Sequence, residues 1–183
     1  TNGFFMFKDD NSLNDDSGNG NNFTLASGTL TKTEDNPSNI FSTLNPLVVT
    51  AGSDGLFHGN TQQNVNTGNW RTHYSTIGAS SGKYYFESYI EAGTYIRIGA
   101  RNVEEAQGYL SDDYVDRTTD GYSYDKSGYV RKNNSVVTGG TTGVTYTTGD
   151  IIGCLLDLDN WTINWTKNGT LVNSTAYYIT KNL

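Results

Sequence analysis

The sequence predicts an all-β chain, a two-sheet antiparallel β-sandwich. Three observations carry that reading: composition, period-two alternation, and the regular spacing of turn signals. Of 183 residues only 34% are hydrophobic and 17% charged. Gly, Asn, Ser and Thr make up roughly 45% of the chain, the composition of a turn-rich fold. Thirteen Tyr and three Trp stand in this polar background. Good helix formers are scarce, whereas Thr and Tyr suit half-buried pleated surfaces and Gly and Asn suit tight turns. Roughly a dozen short apolar stretches separated by turn signals fit a sandwich. The aromatic content and the periodicity oppose disorder.

Along the chain, residues 3–8 (GFFMFK) read as a short strand and 9–22 (DDNSLNDDSGNGNN) as turn chemistry throughout. Residues 23–33 fit a weak hairpin about Ser27-Gly28. Pro37 and Pro46 bracket residues 40–44, read as extended or a single turn, and the residue before each proline is pushed toward extended geometry. Residues 47–50, 56–65 and 70–77 are strand candidates. Residues 83–91 (KYYFESYIE) alternate, with Tyr84, Phe86, Ser88 and Ile90 opposed to Tyr85, Glu87, Tyr89 and Glu91. After Gly93, residues 94–100 (TYIRIGA) alternate Ile96, Ile98 and Ala100 against Tyr95, Arg97 and Gly99. These two segments are expected to pair as antiparallel neighbours. Residues 101–120 have no clean period, and a long irregular segment in a compact domain is often functional. Short strands follow at 121–125, 128–131 and 135–138.

The C-terminal block is the strongest local signal. Residues 150–159 (DIIGCLLDLD) form a continuous apolar run of strand length, as expected for a strand covered on both faces. Asp159-Asn160 turns the chain, and residues 161–167 put Trp161, Ile163 and Trp165 on one face. Asn168-Gly169 is a type I′ hairpin signal, because both positions tolerate positive φ. A three-stranded meander follows, with Trp161, Trp165 and Phe86 as core.

Charge and motifs exclude several function classes. Twelve basic and nineteen acidic residues give a net charge of −7, against a nucleic-acid or anionic-membrane footprint. No apolar run reaches the ~18 residues of a membrane helix. The single cysteine, Cys154, sits inside IIGCLL and reads as a buried, inert thiol that can form no internal disulfide. His58 and His73 have no nucleophile partner by spacing, and neither GxSxG nor HExxH occurs. Glu87 and Glu91 share a strand face but lie ~13 Å apart, with Tyr89 between them. Asp157 and Asp159 lie ~7 Å apart, within the range of a glycosidase pair, yet at a strand end where turn capping is the usual task. Asp9, Asp10, Asp15 and Asp16, or Asp112, Asp113 and Asp116, are hard-oxygen candidates for Ca²⁺ without EF-hand spacing, and read as solvated turn residues. No enzyme activity, metal site or cofactor is therefore expected. The binding candidates are aromatic and arginine residues: Tyr109, Tyr114 and Arg117 in the long segment, with Trp70, Arg71, Tyr129 and Arg131. Such side chains combine contact area with hydrogen bonding at low entropic cost.

GKYYFESYIE, YIRIGA, GYSYD and GDIIGCLLDLDNWTINWTKNG, in this order, resemble a SPRY domain over about residues 70–170. The resemblance implies a concanavalin-like jelly roll that recognises proteins through loops at one end of the sandwich. DDSGNGNNFT and FSTLNPL ahead of that block resemble marine and cyanobacterial phage virion proteins, tail-fibre-like or capsid-attached; DxSGNGN is also common in concanavalin-like lectin domains. The second resemblance implies a module exposed on the virion that contacts other virion proteins and a host cell-surface protein or glycan, with no nucleic acid and no membrane insertion. Fibres of this kind are often homotrimeric, though no coiled-coil heptad occurs here. The chain opens at Thr1, as a piece of a longer protein would. Residues 1–46 are expected to be an extension packing on the sandwich, and 47–183 the sandwich itself. SPRY domains usually continue past the KNG hairpin to a final strand, so the closing strand is expected from residues 4–8 or from a neighbouring chain; an uncovered edge invites pairing. The alternatives to host attachment are a purely structural capsid or tail decoration protein, a cellular SPRY protein-interaction domain and a concanavalin-fold glycosidase.

Overall fold

The computed structural model describes residues 3, 13–29, 41–49, 55–64, 70–102 and 114–180. The strand expected at 4–8 lies outside them. The chain divides into two compact units, Thr1–Ser42 and Thr43–Leu183.

In the first unit the described residues are turn structure closed on Asp15. Its carboxylate accepts the backbone N–H groups of Ser17 (2.9 Å) and Asn21 (3.0 Å), and its own N–H donates to Asn22 Oδ1 (2.7 Å). Phe23 N–H donates to the Leu13 carbonyl (2.9 Å), closing the loop. Short polar side chains bonding their own backbone explain why DDSGNGNN makes no strand. At Ser27-Gly28 the chain bends, and residues 23–29 contain no strand.

The second unit is all-β, with no helix among the described residues. β1 (Leu44–Val49) pairs antiparallel with β4 (His73–Ser75), and β2 (Gly55–Phe57) with β3 (Gln62–Asn64). One larger sheet runs β12 (Thr170–Leu171), β11 (Thr162–Lys167), β10 (Ile151–Asp157), β5 (Lys83–Tyr89), and β13 (Tyr177–Tyr178) also pairs with β11. The other runs β6 (Arg97–Ala100), β7 (Tyr122–Asp125), β8 (Tyr129–Lys132), β9 (Ser135–Thr141). All pairings are antiparallel, as the sandwich reading requires.

Residues 83–91 and 94–100 do not pair with each other. β5 pairs with β10 and β6 with β7, in different sheets. Ile90 is buried, and Ile96 and Ile98 pack into the same core, so the chain crosses between sheets and places apolar residues on both inner faces. Gly93, at φ 132°, makes that crossing in a region closed to side-chain-bearing residues.

Trp165 is fully buried at the centre of the core. Its Nε1–H donates to the Ile98 carbonyl of the facing sheet (3.0 Å), and its ring lies 6.0 Å from Tyr124 and 6.2 Å from Tyr177. Tyr124 in turn lies 5.2 Å from Tyr146, whose hydroxyl donates to the Ile96 (3.0 Å) and Tyr124 (3.1 Å) carbonyls. Burial pushes the Tyr146 phenol far above its ordinary range, so it remains a donor. Val130, Ile152, Cys154 and Ile163 fill the space between the sheets. Phe86 departs from its expected place. It opposes Cys154 in the ladder but is 42% exposed, and no β5 side chain joins the buried core cluster.

The meander forms with the expected register. Asn168 (φ 50°) and Gly169 (φ 80°) make the two-residue turn, and Asn168 Oδ1 accepts the Ile151 N–H (2.8 Å). Asp157 caps the other turn, accepting the N–H groups of Asp159 (3.1 Å) and Asn160 (2.9 Å) and pairing with Lys83 Nζ (2.8 Å). Gly153 is needed because the Tyr85 ring lies across β10 where a side chain would stand. The run 150–159 is thus covered at Ile152, Gly153 and Cys154, while Ile151 is exposed.

Two outcomes follow. Trp165→Ala removes a fully buried indole and its inter-sheet hydrogen bond, and should lower unfolding free energy by about 3–5 kcal/mol in a urea titration. The Lys83 ammonium first, then the Asn160 side chain and backbone, hold the Asp157 carboxyl well below its ordinary range. A depressed folded pKa gives stability that is complete above the unfolded value of 3.8 and is lost as pH falls through the folded one. Thermal melts below about pH 4 should therefore fall less steeply for Asp157→Asn than for the wild type.

Candidate functional site

The outer face of the β6–β9 sheet is polar, set by alternation. Ile98, Tyr124 and Val130 point into the core, so Arg97, Ser123, Asp125, Tyr129 and Arg131 point away from it. The end of the long segment folds over this face. Gly121 permits the approach, since a Cβ there would collide with the Val115 carbonyl. Asp116, fully buried, accepts from Arg97 Nη1 with both carboxylate oxygens (2.9 Å each) and from Ser123 Oγ (2.6 Å). Its carbonyl accepts the Asn134 N–H (2.9 Å).

The Arg97 guanidinium is also held between two rings, 4.6 Å from the Trp70 centroid and 4.4 Å from Tyr114. Trp70 and Tyr114 meet edge to face at 5.6 Å, and Tyr95 continues the array at 5.9 Å from Trp70. Tyr95 is 80% exposed, Trp70 and Tyr114 are half-buried, and the Arg97 side chain is 11% exposed. The charge is thus neutralised by a buried carboxylate below and flanked by π faces, each cation–π contact being worth ~0.5–2 kcal/mol. Beside this array Arg101 Nη1 donates to the Tyr74 hydroxyl (2.9 Å).

Of the residues singled out from sequence, Trp70 and Tyr114 come together here. Arg71 is adjacent, its Nη1 donating to the Trp70 carbonyl (3.0 Å). Arg117 N–H donates to the Tyr114 carbonyl (3.0 Å), tightening the turn that carries the ring. Arg131 pairs with Asp125 and lies 5.5 Å above the Tyr129 ring, a second Arg–aromatic pair on the same sheet face. Tyr109 lies outside the described residues. Sequence reasoning missed Tyr95 and Arg97, and it read Asp116 as a solvated turn residue, whereas Asp116 is fully buried and paired with Arg97. Their signal was the polar side of TYIRIGA, where an arginine on a half-buried strand face requires a counter-charge.

Groups with catalytic potential are engaged otherwise. Cys154 is fully buried, and burial pushes its thiol far above the range in which it ionises. Asp157 and Asp159 cap the ends of β5 and β10, Asp159 Oδ1 accepting the Gly82 N–H (2.8 Å). Glu87 Oε1 accepts the Tyr85 hydroxyl proton (2.7 Å), and Glu91 accepts from the Gln62 amide. Among the described residues no group of three His, Cys, Asp or Glu side chains could hold a metal.

The fold and this site define a β-sandwich that displays aromatic and arginine side chains on a rigid sheet. Residues 83–181 match the SPRY domain family, and the chain belongs to that family. Ran-binding protein 9 of Danio rerio is 38% identical over 100 residues, 51% of this chain and 15% of its own length. The Ran-binding proteins 9/10 homolog of Drosophila melanogaster is 34% identical over 115 residues, 59% of this chain and 11% of its own. The matches thus span a small part of these relatives. The crystal structure of the SPRY domain of human HERC1 superposes with a TM-score of 0.55, covering 74% of this chain and 80% of that one at 20% identity, a likeness of fold. SPRY domains are generally non-catalytic protein-interaction domains.

Asp116→Ala leaves the Arg97 guanidinium buried without its counter-charge and should cost about 3–5 kcal/mol of stability by urea titration. Asp116→Asn, which keeps an acceptor for Ser123, should cost less.

Proposed function

We propose that the chain is a non-enzymatic recognition module of a phage virion, tail fibre or capsid-attached, that binds a host-surface protein or glycan through the Tyr95–Trp70–Arg97–Tyr114 array. The observation that carries this reading is the exposed Tyr95 ring packed at a tilt of 55° against Trp70, beside a guanidinium that Asp116 already holds in place. Such an array presents flat apolar faces at little ordering cost, suited to a sugar ring or to a peptide's aromatic or proline side chain. The virion setting is supported by the two N-terminal motifs and by an acidic, Gly/Asn/Ser/Thr-rich composition that favours solubility at high local density.

The purely structural alternative has one observation in its favour: β5 exposes Tyr84 and Phe86 on one face and Tyr85 and Tyr89 on the other, aromatic side chains suited to packing on a neighbour.

The 183-residue chain, fluorescently labelled, should bind host cells or discrete members of a glycan array, and Tyr95→Ala or Trp70→Ala should weaken that binding about tenfold or more. Wild-type binding that both variants match would remove the array from the function. Absence of binding to cells and glycans alike would leave the structural alternative.

A further inference from the structure

Among the described residues the outer edge of β5 is unpaired, and the strand carries exposed aromatic side chains. The Gly82 carbonyl accepts from Leu158 N–H (2.9 Å), and the Ile90 N–H donates to the Asp150 carbonyl (2.9 Å). Peptide groups alternate in direction along a strand, so the even-numbered positions of β5 face β10. The N–H and C=O groups of Lys83, Tyr85, Glu87 and Tyr89 therefore point outward. Among the described residues no strand pairs with that side. Exposed edges are usually blunted by charge, shortness or a bulge. This one is seven residues long, pairs with β10 in unbroken register, and has four exposed aromatic residues and two opposite charges.

The order of those residues selects a partner. An antiparallel two-fold pairing must place outward-facing residues opposite one another. Centred on Tyr85, it sets Lys83 against Glu87 of a second copy and Glu87 against its Lys83. The same register opposes Tyr84 to Phe86, Phe86 to Tyr84, and Tyr85 to Tyr85. K-Y-Y-F-E is thus complementary to its own reverse, with every cross-strand pair either aromatic on aromatic or cation on anion. Centring on Phe86 instead opposes Lys83 to Tyr89, and centring on Glu87 opposes two carboxylates. On the face that β5 shares with Cys154, Phe86 and Tyr84 are exposed. A second β5 would cover part of each ring.

We infer that the chain forms a two-fold dimer by antiparallel β5–β5 pairing centred on Tyr85, which joins the two β5-containing sheets into one continuous sheet. The interface is isologous, so each contact occurs twice. The Lys83–Asp157 ion pair does not block it, because the Lys83 side chain is 66% exposed and its ammonium has further donors.

The test is sedimentation velocity of the full chain over a concentration series. The wild type should show a monomer–dimer equilibrium. Lys83→Glu and Glu87→Lys each place like charges opposite one another twice, and each should raise the dimer dissociation constant about tenfold. The double variant Lys83→Glu/Glu87→Lys restores opposite charges in reversed order and should recover near wild-type dimerisation. An equimolar mixture of the two single variants should form heterodimers, since each supplies what the other lacks; a general folding defect would not be rescued by mixing. A wild-type chain that stays monomeric throughout overturns the inference. So does a dimer that all variants form equally, or a mixture no more associated than its components.

Discussion

The indole of Trp165 is the contact on which the rest of the molecule depends. It stands on the β5-containing sheet, is closed off from water, and sends its one polar group to a carbonyl on the opposite sheet. A tryptophan can be fully buried only if its N–H finds an acceptor, so the indole fixes the sheet separation and lateral offset together. Tyr124, Tyr146 and Tyr177 pack around it, and the hydroxyl of Tyr146 returns to the backbone of β7 and the chain just before β6. In a chain so poor in aliphatic residues, a few large rings with satisfied polar tips replace the many Leu and Ile side chains of an ordinary core.

The rigidity of that sandwich makes the outer polar face usable. Arg97 sits on β6, one residue before Ile98, so a strand anchored inward by an isoleucine presents an arginine outward at a fixed height. Asp116 arrives from the turn structure of residues 114–120 and meets it where Ser123 and Asn134 complete its hydrogen bonding. Trp70 and Tyr114 then close on the guanidinium from two sides. A charge so compensated is a structural post, and the exposed ring of Tyr95 is the part left for contact with another molecule.

The C-terminal meander was legible residue by residue, because two turn chemistries and an unbroken apolar run pin its register locally. The alternation in KYYFESYIE and TYIRIGA was equally legible, but their pairing was not. Alternation states which residues share a face and says nothing about which strand lies alongside. The two segments bury their isoleucines from opposite sides of one core, an arrangement only the facing sheet imposes. Phe86 shows the same limit: alternation gives its strand face, and only the packing of the folded chain leaves it exposed. At the candidate site, Trp70 and Tyr114 were chosen as aromatic residues in polar stretches. Arg97 and Asp116, nineteen residues apart, could be joined only by a loop that folds back.

By itself the sequence determined the extended backbone, most of the turns and the face of each strand, since these follow from side-chain period and local φ preference; the ordered motifs carried the resemblance to the SPRY family. Tertiary structure alone decided which strands became neighbours, which edge of β5 pairs with β10 and which arginine met the buried carboxylate. Those depend on contacts between residues far apart in the chain, where loop geometry and the packing of the folded chain, not local propensity, set the outcome.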